Sequence, residues 1–183
     1  SITDWAVVRR PDGSIGWRQT VLDGSQRHQL LLAGIKGEHF VQSSIVVDGI
    51  AGADGTSNLR SATISYGYVR NGGGTEFFFN CGVRRDVTAL NNVIIASVQQ
   101  DDTNTDDASM PWAGNVLDTP MTVTARADRV GSTTAGQGDS ALACRAIEGA
   151  ANTLVTNDSG DIPDGQIGLR TYGTTAWFDY IFF

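Results

Sequence analysis

The C-terminal stretch from Gly165 to Phe183, GQIGLRTYGTTAWFDYIFF, constrains the fold more than any other part of the chain. It is rich in aromatic and β-branched residues, and the turn Gly173-Thr174-Thr175 divides it, a pattern that predicts two strands joined as a hairpin. Strict alternation along the second strand gives two faces, one with Trp177, Asp179, Ile181 and Phe183 and the other with Phe178, Tyr180 and Phe182. A strand apolar on both faces belongs inside a covered sheet, so we expect the C-terminus to lie within the fold.

The rest of the chain alternates between short strand patterns and turns such as Pro11-Asp12-Gly13, Asn71 to Gly74 and Glu148-Gly149. Only three Glu and one Lys are present, which disfavours surface helices. About a dozen strands separated by short turns predict an all-β fold with two antiparallel sheets, a sandwich or jelly roll, as a single domain over residues 1–183. Gln100 to Thr119 and Gly131 to Ser140 are predicted to be irregular loops.

The acidic composition bears on the class of partner. A net charge of -7 and a pI near 4.6 disfavour nucleic acid and anionic membranes, both of which need a basic surface, and they fit calcium or a neutral ligand. No apolar run reaches the roughly 20 residues of a membrane span, so we expect no membrane insertion. The sequence begins directly with a strand pattern, so we expect either that a leader was removed or that Ser1 follows a lost initiator Met.

The two cysteines, Cys81 and Cys144, both lie in apolar strand patterns, FFFNCGV and ALACRAI. The sequence favours two buried thiols on separate strands and leaves a disulfide open, because spacing alone cannot place their Cα atoms within bonding reach.

The second half of the chain resembles the concanavalin A-like jelly roll, in its laminin-G-like and family-66 carbohydrate-binding-module branch. The segment MTVTARADRVG followed by ALACRAIEG is similar to a strand pair of that group. The final segment IPDGQIGLRTYGTTAWFDYIFF is similar to the ending of the group, with matches at Gly165, Gly168, Leu169, Ala176, Phe178 and Asp179.

This resemblance implies a sugar-binding concave face and a structural calcium on the convex side. It assigns one ligand of the ion to Asp179, joined by the N-terminal turn at Asp23-Gly24, since Ca²⁺ takes about 6–8 oxygen ligands. The alternative is that Asp179 accepts hydrogen bonds from neighbouring donors.

A catalytic site is hard to find in the sequence. Glu38, Glu76 and Glu148 are too isolated for the paired carboxylates of glycoside hydrolysis, and His28 and His39 lack a nucleophile or zinc-type spacing. Both histidines are predicted to lie on the surface or in loops. We therefore predict a protein that is not an enzyme, with a lyase or hydrolase of unrecognised site as the third alternative.

Sugar binding calls for an aromatic platform flanked by planar polar groups. The candidates are Trp112 on the long loop, Tyr66 and Tyr68 on their strand, and Arg84 or Arg85 after the Phe-rich strand, each with core packing or ordinary surface exposure as the alternative.

The leading functional prediction is a non-catalytic module that binds a glycan or polysaccharide or attaches to a surface, and the rival is a structural assembly protein such as a virion decoration or tail component. The convex stripe predicted from Trp177, Ile181 and Phe183 needs a cover, which is a second copy in a homo-oligomer, a neighbouring domain or the N-terminal segment. Either function fits an extracellular location or a virion surface.

Overall fold

The computed structural model describes residues 2–10, 12–24, 26–35, 39–53, 55, 57–70, 72–100, 103–134, 137–157 and 165–182. Over these ranges the chain is all-β, apart from a short 3-10 helix at Ile2–Asp4. The strands are β1 (Trp5–Arg9), β2 (Ile15–Gln19), β3 (Arg27–Ile35), β4 (His39–Ile50), β5 (Leu59–Arg70), β6 (Glu76–Asp86), β7 (Asn91–Gln100), β8 (Thr103–Pro111), β9 (Met121–Thr134), β10 (Gln137–Glu148), β11 (Ala151–Asn157), β12 (Gly165–Tyr172) and β13 (Thr174–Phe182).

The strands form two antiparallel sheets that pack face to face as a jelly-roll sandwich. The seven-stranded sheet has the order β1-β2-β13-β4-β9-β10-β11, and the six-stranded sheet has the order β3-β12-β5-β6-β7-β8. Alternate residues of each strand point into the space between the sheets, where side chains such as Ile45, Ile64, Phe79, Val123 and Phe178 are almost completely buried. The predicted fold class is confirmed. Among the described residues, no helix has the length and apolar character needed to cross a membrane.

The predicted C-terminal hairpin is wrong, because its two strands lie in different sheets. β12 pairs with β3 and β5, whereas β13 pairs with β2 and β4. Gly173, with φ 59°, lies at the point where the chain crosses from one sheet to the other. Both strands are nevertheless flanked on each side, as their two-sided apolar pattern indicates.

A β-bulge changes which residues of β13 face outward. Phe178 pairs with Ile45 and Ile181 pairs with Ser43, so Asp179 and Tyr180 together lie opposite Ser44. Because of this extra residue, each residue after the bulge points to the face opposite the one that strict alternation predicts. Ile181 consequently packs against the core and Phe182 is 58% exposed.

The predicted convex stripe is therefore wrong in part. Ile181 is not on it, and Phe183 lies outside the described residues. Trp177 does face outward, but the guanidinium groups of Arg10 and Arg18 lie 5.7 and 4.9 Å from the centre of its ring. Side chains from the N-terminal segment thus cover Trp177.

The expectation of two free thiols is also wrong, because Cys81 and Cys144 form a disulfide. Cys81 is on β6 of the six-stranded sheet and Cys144 is on β10 of the seven-stranded sheet, and both are fully buried with Cα atoms 5.3 Å apart. Each cysteine lies beside an alanine on the adjacent strand, Ala96 and Ala125 respectively. These small side chains leave room for the bond that joins the sheets.

Two predicted loops contain strands. Within the predicted loop from Gln100 to Thr119, residues Thr103–Pro111 form β8, the edge strand paired with β7. β9 extends to Thr134 and β10 begins at Gln137, across the stretch predicted as a flexible loop. Polar and glycine-rich sequence resembles a loop, but an edge strand needs no apolar alternation where its outer side is solvated.

Candidate ligand-binding cleft

A polar cleft of about 300 Å³ opens on the outer face of the six-stranded sheet. Its lining residues alternate along β3, β12, β5, β6 and β7 with residues that point into the core. They are Arg27, Ser57, Leu59, Ser61, Thr63, Asn80, Arg84, Ile95, Gln99, Arg170 and Tyr172. Nearly all of them carry hydrogen-bonding groups, in contrast to the apolar side chains on the opposite face of the same strands.

The register of the sheet brings together residues that are far apart in sequence. Arg27, Tyr172, Ser61 and Arg84 lie side by side across β3, β12, β5 and β6. This row depends on the insertion of β12 between β3 and β5, which no local sequence pattern reveals.

At the floor of the cleft, neighbouring strands leave no room for a side chain at one position. Gly82 lies opposite Thr63, and a Cβ atom at Gly82 would lie 2.3 Å from the carbonyl oxygen of Ala62. Next to it, the Oδ1 atom of buried Asn80 accepts hydrogen bonds from Ser65 Oγ at 3.0 Å and Thr63 Oγ1 at 3.3 Å. These bonds fix the orientation of the Asn80 amide.

The arginines of the cleft are held by neighbouring side chains. Arg84 Nη1 donates a hydrogen bond to Asp107 Oδ2 at 2.5 Å. The guanidinium of Arg170, a residue only 4% exposed, lies 4.8 Å from the centre of the Phe78 ring, and that of Arg27 lies 5.3 Å from the Tyr172 ring. Such contacts restrict the rotamers of these long side chains before any ligand binds.

A fully buried arginine, Arg60, supports one rim of the cleft. Its guanidinium donates hydrogen bonds to the backbone carbonyls of Ala51, Gly52, Ser57 and Leu59 and also lies 5.4 Å from the centre of the Tyr172 ring. Several carbonyl dipoles compensate the buried charge. Arg60 therefore connects the segment that contributes Ser57 and Leu59 to the strand that contributes Tyr172.

The sequence-predicted sugar-binding residues are divided between the core and this face. Trp112 is 5% exposed and packs in the core, where its Nε1 donates to the Asn115 carbonyl at 3.3 Å, and Tyr66 is fully buried. Neither ring is available as a platform, because both point between the sheets. Their alternative interpretation, core packing, agrees with the structure.

Of the other three candidates, one lies in the cleft. Arg84 lines it, while Arg85 points to the opposite face and donates to Asn92 Oδ1 at 3.1 Å. Tyr68 lies beyond the cleft lining, with its ring centre 5.9 Å from that of Phe78. Burial and a hydrogen bond with Glu76 raise the pKa of Tyr68 to about 12, so it stays a neutral hydroxyl.

Asp179, the predicted calcium ligand, is engaged by protein donors. Arg10 Nη1 donates to its Oδ2 at 2.6 Å, and Ser44 Oγ donates to the same atom at 3.4 Å. Asp23 follows β2, and within the described part of the chain no group of three or more His, Cys, Asp or Glu side chains could hold a metal. Calcium at Asp179 and Asp23 stays a prediction.

The prediction that His28 lies on the surface is wrong. His28 is 3% exposed on β3, and its Nδ1 lies 3.0 Å from Asp4 Oδ2. This hydrogen bond is the main reason that the pKa of Asp4 lies below its ordinary value. The side chain of His39 and all of Glu38 lie outside the described residues, and Glu76 and Glu148 belong to different sheets.

Comparison with known proteins gives no family. No family model matches the chain, and no curated protein matches it. Among solved structures, it is similar to sheep galectin-11 in complex with glycerol, with 8% identity over 88% of this chain and 98% of the galectin and a TM-score of 0.40.

Two peptidase structures are similar to the same extent. SCP-B, a member of the eqolisin family, in complex with the tripeptide Ala-Ile-His, is 10% identical over 86% of this chain and 72% of its own, with a TM-score of 0.38. Scytalido-glutamic peptidase with a transition state analog inhibitor is 10% identical over 86% of this chain and 73% of its own, with a TM-score of 0.38. At these identities and TM-scores, the similarities carry no argument about function.

Proposed function

We propose that this chain is a non-catalytic binding module that takes a glycan in the cleft of the six-stranded sheet. The observation that supports the proposal is the composition of the cleft, in which planar amide and guanidinium groups and hydroxyls share one face with the ring of Tyr172. Sugars present many hydroxyls that need directional partners and apolar ring faces that pack on aromatic side chains. The resemblance to the laminin-G-like and family-66 branch, and a location outside the cell, belong to the same proposal.

Blocking the cleft tests the proposal. Ser61 is half-buried in the central row, so Ser61→Trp fills the cleft with an indole, and we expect binding to a glycan array to fall by about tenfold or more. Thr122→Trp is the matched control, because Thr122 is a half-buried residue of the seven-stranded sheet, two positions along β9 from outward-facing Thr124. Circular dichroism checks that both variants fold.

Three outcomes are informative. Wild-type protein that binds no glycan, with or without EDTA, contradicts the proposal. Equal binding by Ser61→Trp and wild type places the site elsewhere. Binding that is lost in EDTA supports the calcium prediction at Asp179.

One observation favours a second candidate, a structural assembly protein. Phe40 and Phe182 are 51% and 58% exposed on the outer face of the seven-stranded sheet, and the ring centre of Tyr180 lies 5.1 Å from that of Phe182. Phe182 pairs with Gln42, two residues from Phe40, so Phe40 and Phe182 lie on adjacent strands of the same face. A homo-oligomer detected by light scattering, together with no binding to the glycan array, would favour this candidate.

A further inference from the structure

The cleft concentrates positive charge in an acidic protein. Arg27, Arg84 and Arg170 line it, and among the described residues no Asp or Glu lines it, whereas the whole chain has a net charge of -7. Asp107, outside the lining, pairs with Arg84. A cleft with one sign of charge and low-dielectric walls raises the local concentration of ligands of the opposite sign.

Two of these arginines, Arg84 and Arg170, are partly desolvated. The side chain of Arg84 is 14% exposed and Arg170 is 4% exposed, so their charges have already lost much of their contact with water. A neutral sugar bound over them would remove more water from the guanidinium groups without supplying a compensating negative charge. An anionic group would instead complete charge-assisted hydrogen bonds to planar guanidinium forks, which match a carboxylate or sulfate better than a lysine does.

From this arrangement we infer that the ligand of the cleft is an acidic saccharide. Its carboxylate or sulfate group lies among Arg27, Arg84 and Arg170, and its hydroxyls contact Ser61 and Thr63. The inference rests on the proposed glycan-binding function and narrows it to one chemical class of ligand.

Calorimetric titration with matched probes tests the charge requirement. The probes are tetragalacturonate, its fully methyl-esterified form and a heparin-derived tetrasaccharide, which separate a carboxylate, a neutral ester of the same backbone and a sulfated sugar. We expect at least one acidic probe to bind about tenfold or more tightly than the ester, with an affinity that falls as NaCl rises from about 50 to 300 mM.

Charge variants locate the effect. Arg27→Gln removes an exposed guanidinium, and we expect it to weaken binding of the acidic probe about tenfold and to leave any binding of the ester unchanged. The double variant Arg84→Gln with Asp107→Asn removes the second arginine without leaving Asp107 unpaired, and we expect the same loss. Arg145→Gln makes the same charge change at an exposed position of β10 in the other sheet and serves as the control.

The outcomes separate the inference from the proposed function. If the ester and the acidic probes bind equally, or if every array glycan that binds is neutral, the inference is overturned and the glycan-binding function stands. If no probe or array glycan binds, both fail. Binding of the heparin tetrasaccharide alone also supports the inference, because this probe is acidic.

Discussion

Asp48 joins three strands of the seven-stranded sheet through one carboxylate oxygen. From β4, its Oδ2 accepts hydrogen bonds from Trp177 Nε1 on β13 at 2.7 Å and from Arg18 Nη2 on β2 at 2.8 Å. Burial raises the pKa of Asp48, but hydrogen bonds from Thr175 and Trp177 and the charge of Arg18 outweigh burial, and the pKa lies below 3.8. The ionised carboxylate is therefore the form that stabilises the fold.

We expect Asp48→Asn to lower the free energy of unfolding at pH 7 by about 1–2 kcal/mol, a value discounted because Arg18 is partly solvated. Since the folded pKa is below the unfolded one, the contribution of Asp48 is present above about pH 4 and is lost as the pH falls through the folded value. Urea denaturation at pH 7 and pH 3 measures the difference, which should shrink at pH 3.

Asp118→Asn is the control for this charge change, because Asp118 is exposed and has φ 56°, a conformation that Asn also tolerates. We expect little change from it. An Asp48→Asn variant as stable as wild type at pH 7, or equally destabilised at both pH values, would contradict the role assigned to Asp48.

At the scale of the element, β13 shows what alternation predicts and where it fails. The aromatic pattern correctly indicates an interior strand, and Trp177 and Phe178 occupy opposite faces as predicted. The faces reverse after Phe178 because one extra residue is accommodated opposite Ser44, and no residue between Phe178 and Ile181 signals a bulge. Alternation along β5 puts Ala62 and Ile64 on one face, and both lie in the core.

The bulge also explains a glycine on the neighbouring strand. Gly16 on β2 is buried against it, and a Cβ atom there would lie 2.6 Å from the Phe178 carbonyl oxygen and 2.8 Å from Asp179 Cα. We expect Gly16→Ala to lower the free energy of unfolding by about 1–3 kcal/mol, because backbone must shift to admit the methyl group. Urea denaturation measures the loss.

Gly34→Ala is the matched control. Gly34 is on β3, and among the described residues the one atom within 4 Å of a Cβ there is the Gly165 carbonyl oxygen at 3.9 Å, so the methyl group fits. Its effect should be neutral or stabilising by up to about 1 kcal/mol, because alanine reduces the entropy of the unfolded chain. Equal effects of the two substitutions would show that β2 does not approach the bulge closely.

At the scale of the whole molecule, the order of strands decides what the sequence can reveal. Local patterns predict the two-sheet class, and alternation along β5 and β6 puts Thr63 and Asn80 on the face opposite the core residues Ala62 and Cys81. They cannot place Arg27 beside Tyr172, because that contact depends on pairing between β3 and β12. The same dependence on strand order explains why the sequence indicates Arg84 as a sugar-binding residue and does not indicate Arg170.

The disulfide between the sheets is a further long-range contact, and it closes a sequence separation of 63 residues. A cross-link of this length restricts the unfolded chain by about 4 kcal/mol in the loop-entropy model. We expect the double variant Cys81→Ala with Cys144→Ala to lower the free energy of unfolding by about 2–5 kcal/mol, measured by urea denaturation without reductant.

Dithiothreitol provides the control for this double variant. The variant has no disulfide to reduce, so dithiothreitol should leave its unfolding curve unchanged. Wild-type protein unfolded and refolded in dithiothreitol should move towards the curve of the variant. Native wild type should resist reduction, since both sulfur-bearing residues are fully buried and are reached only through unfolding. Rapid reduction without loss of structure, or a variant as stable as the oxidised protein, would contradict a buried bond that holds the two sheets together.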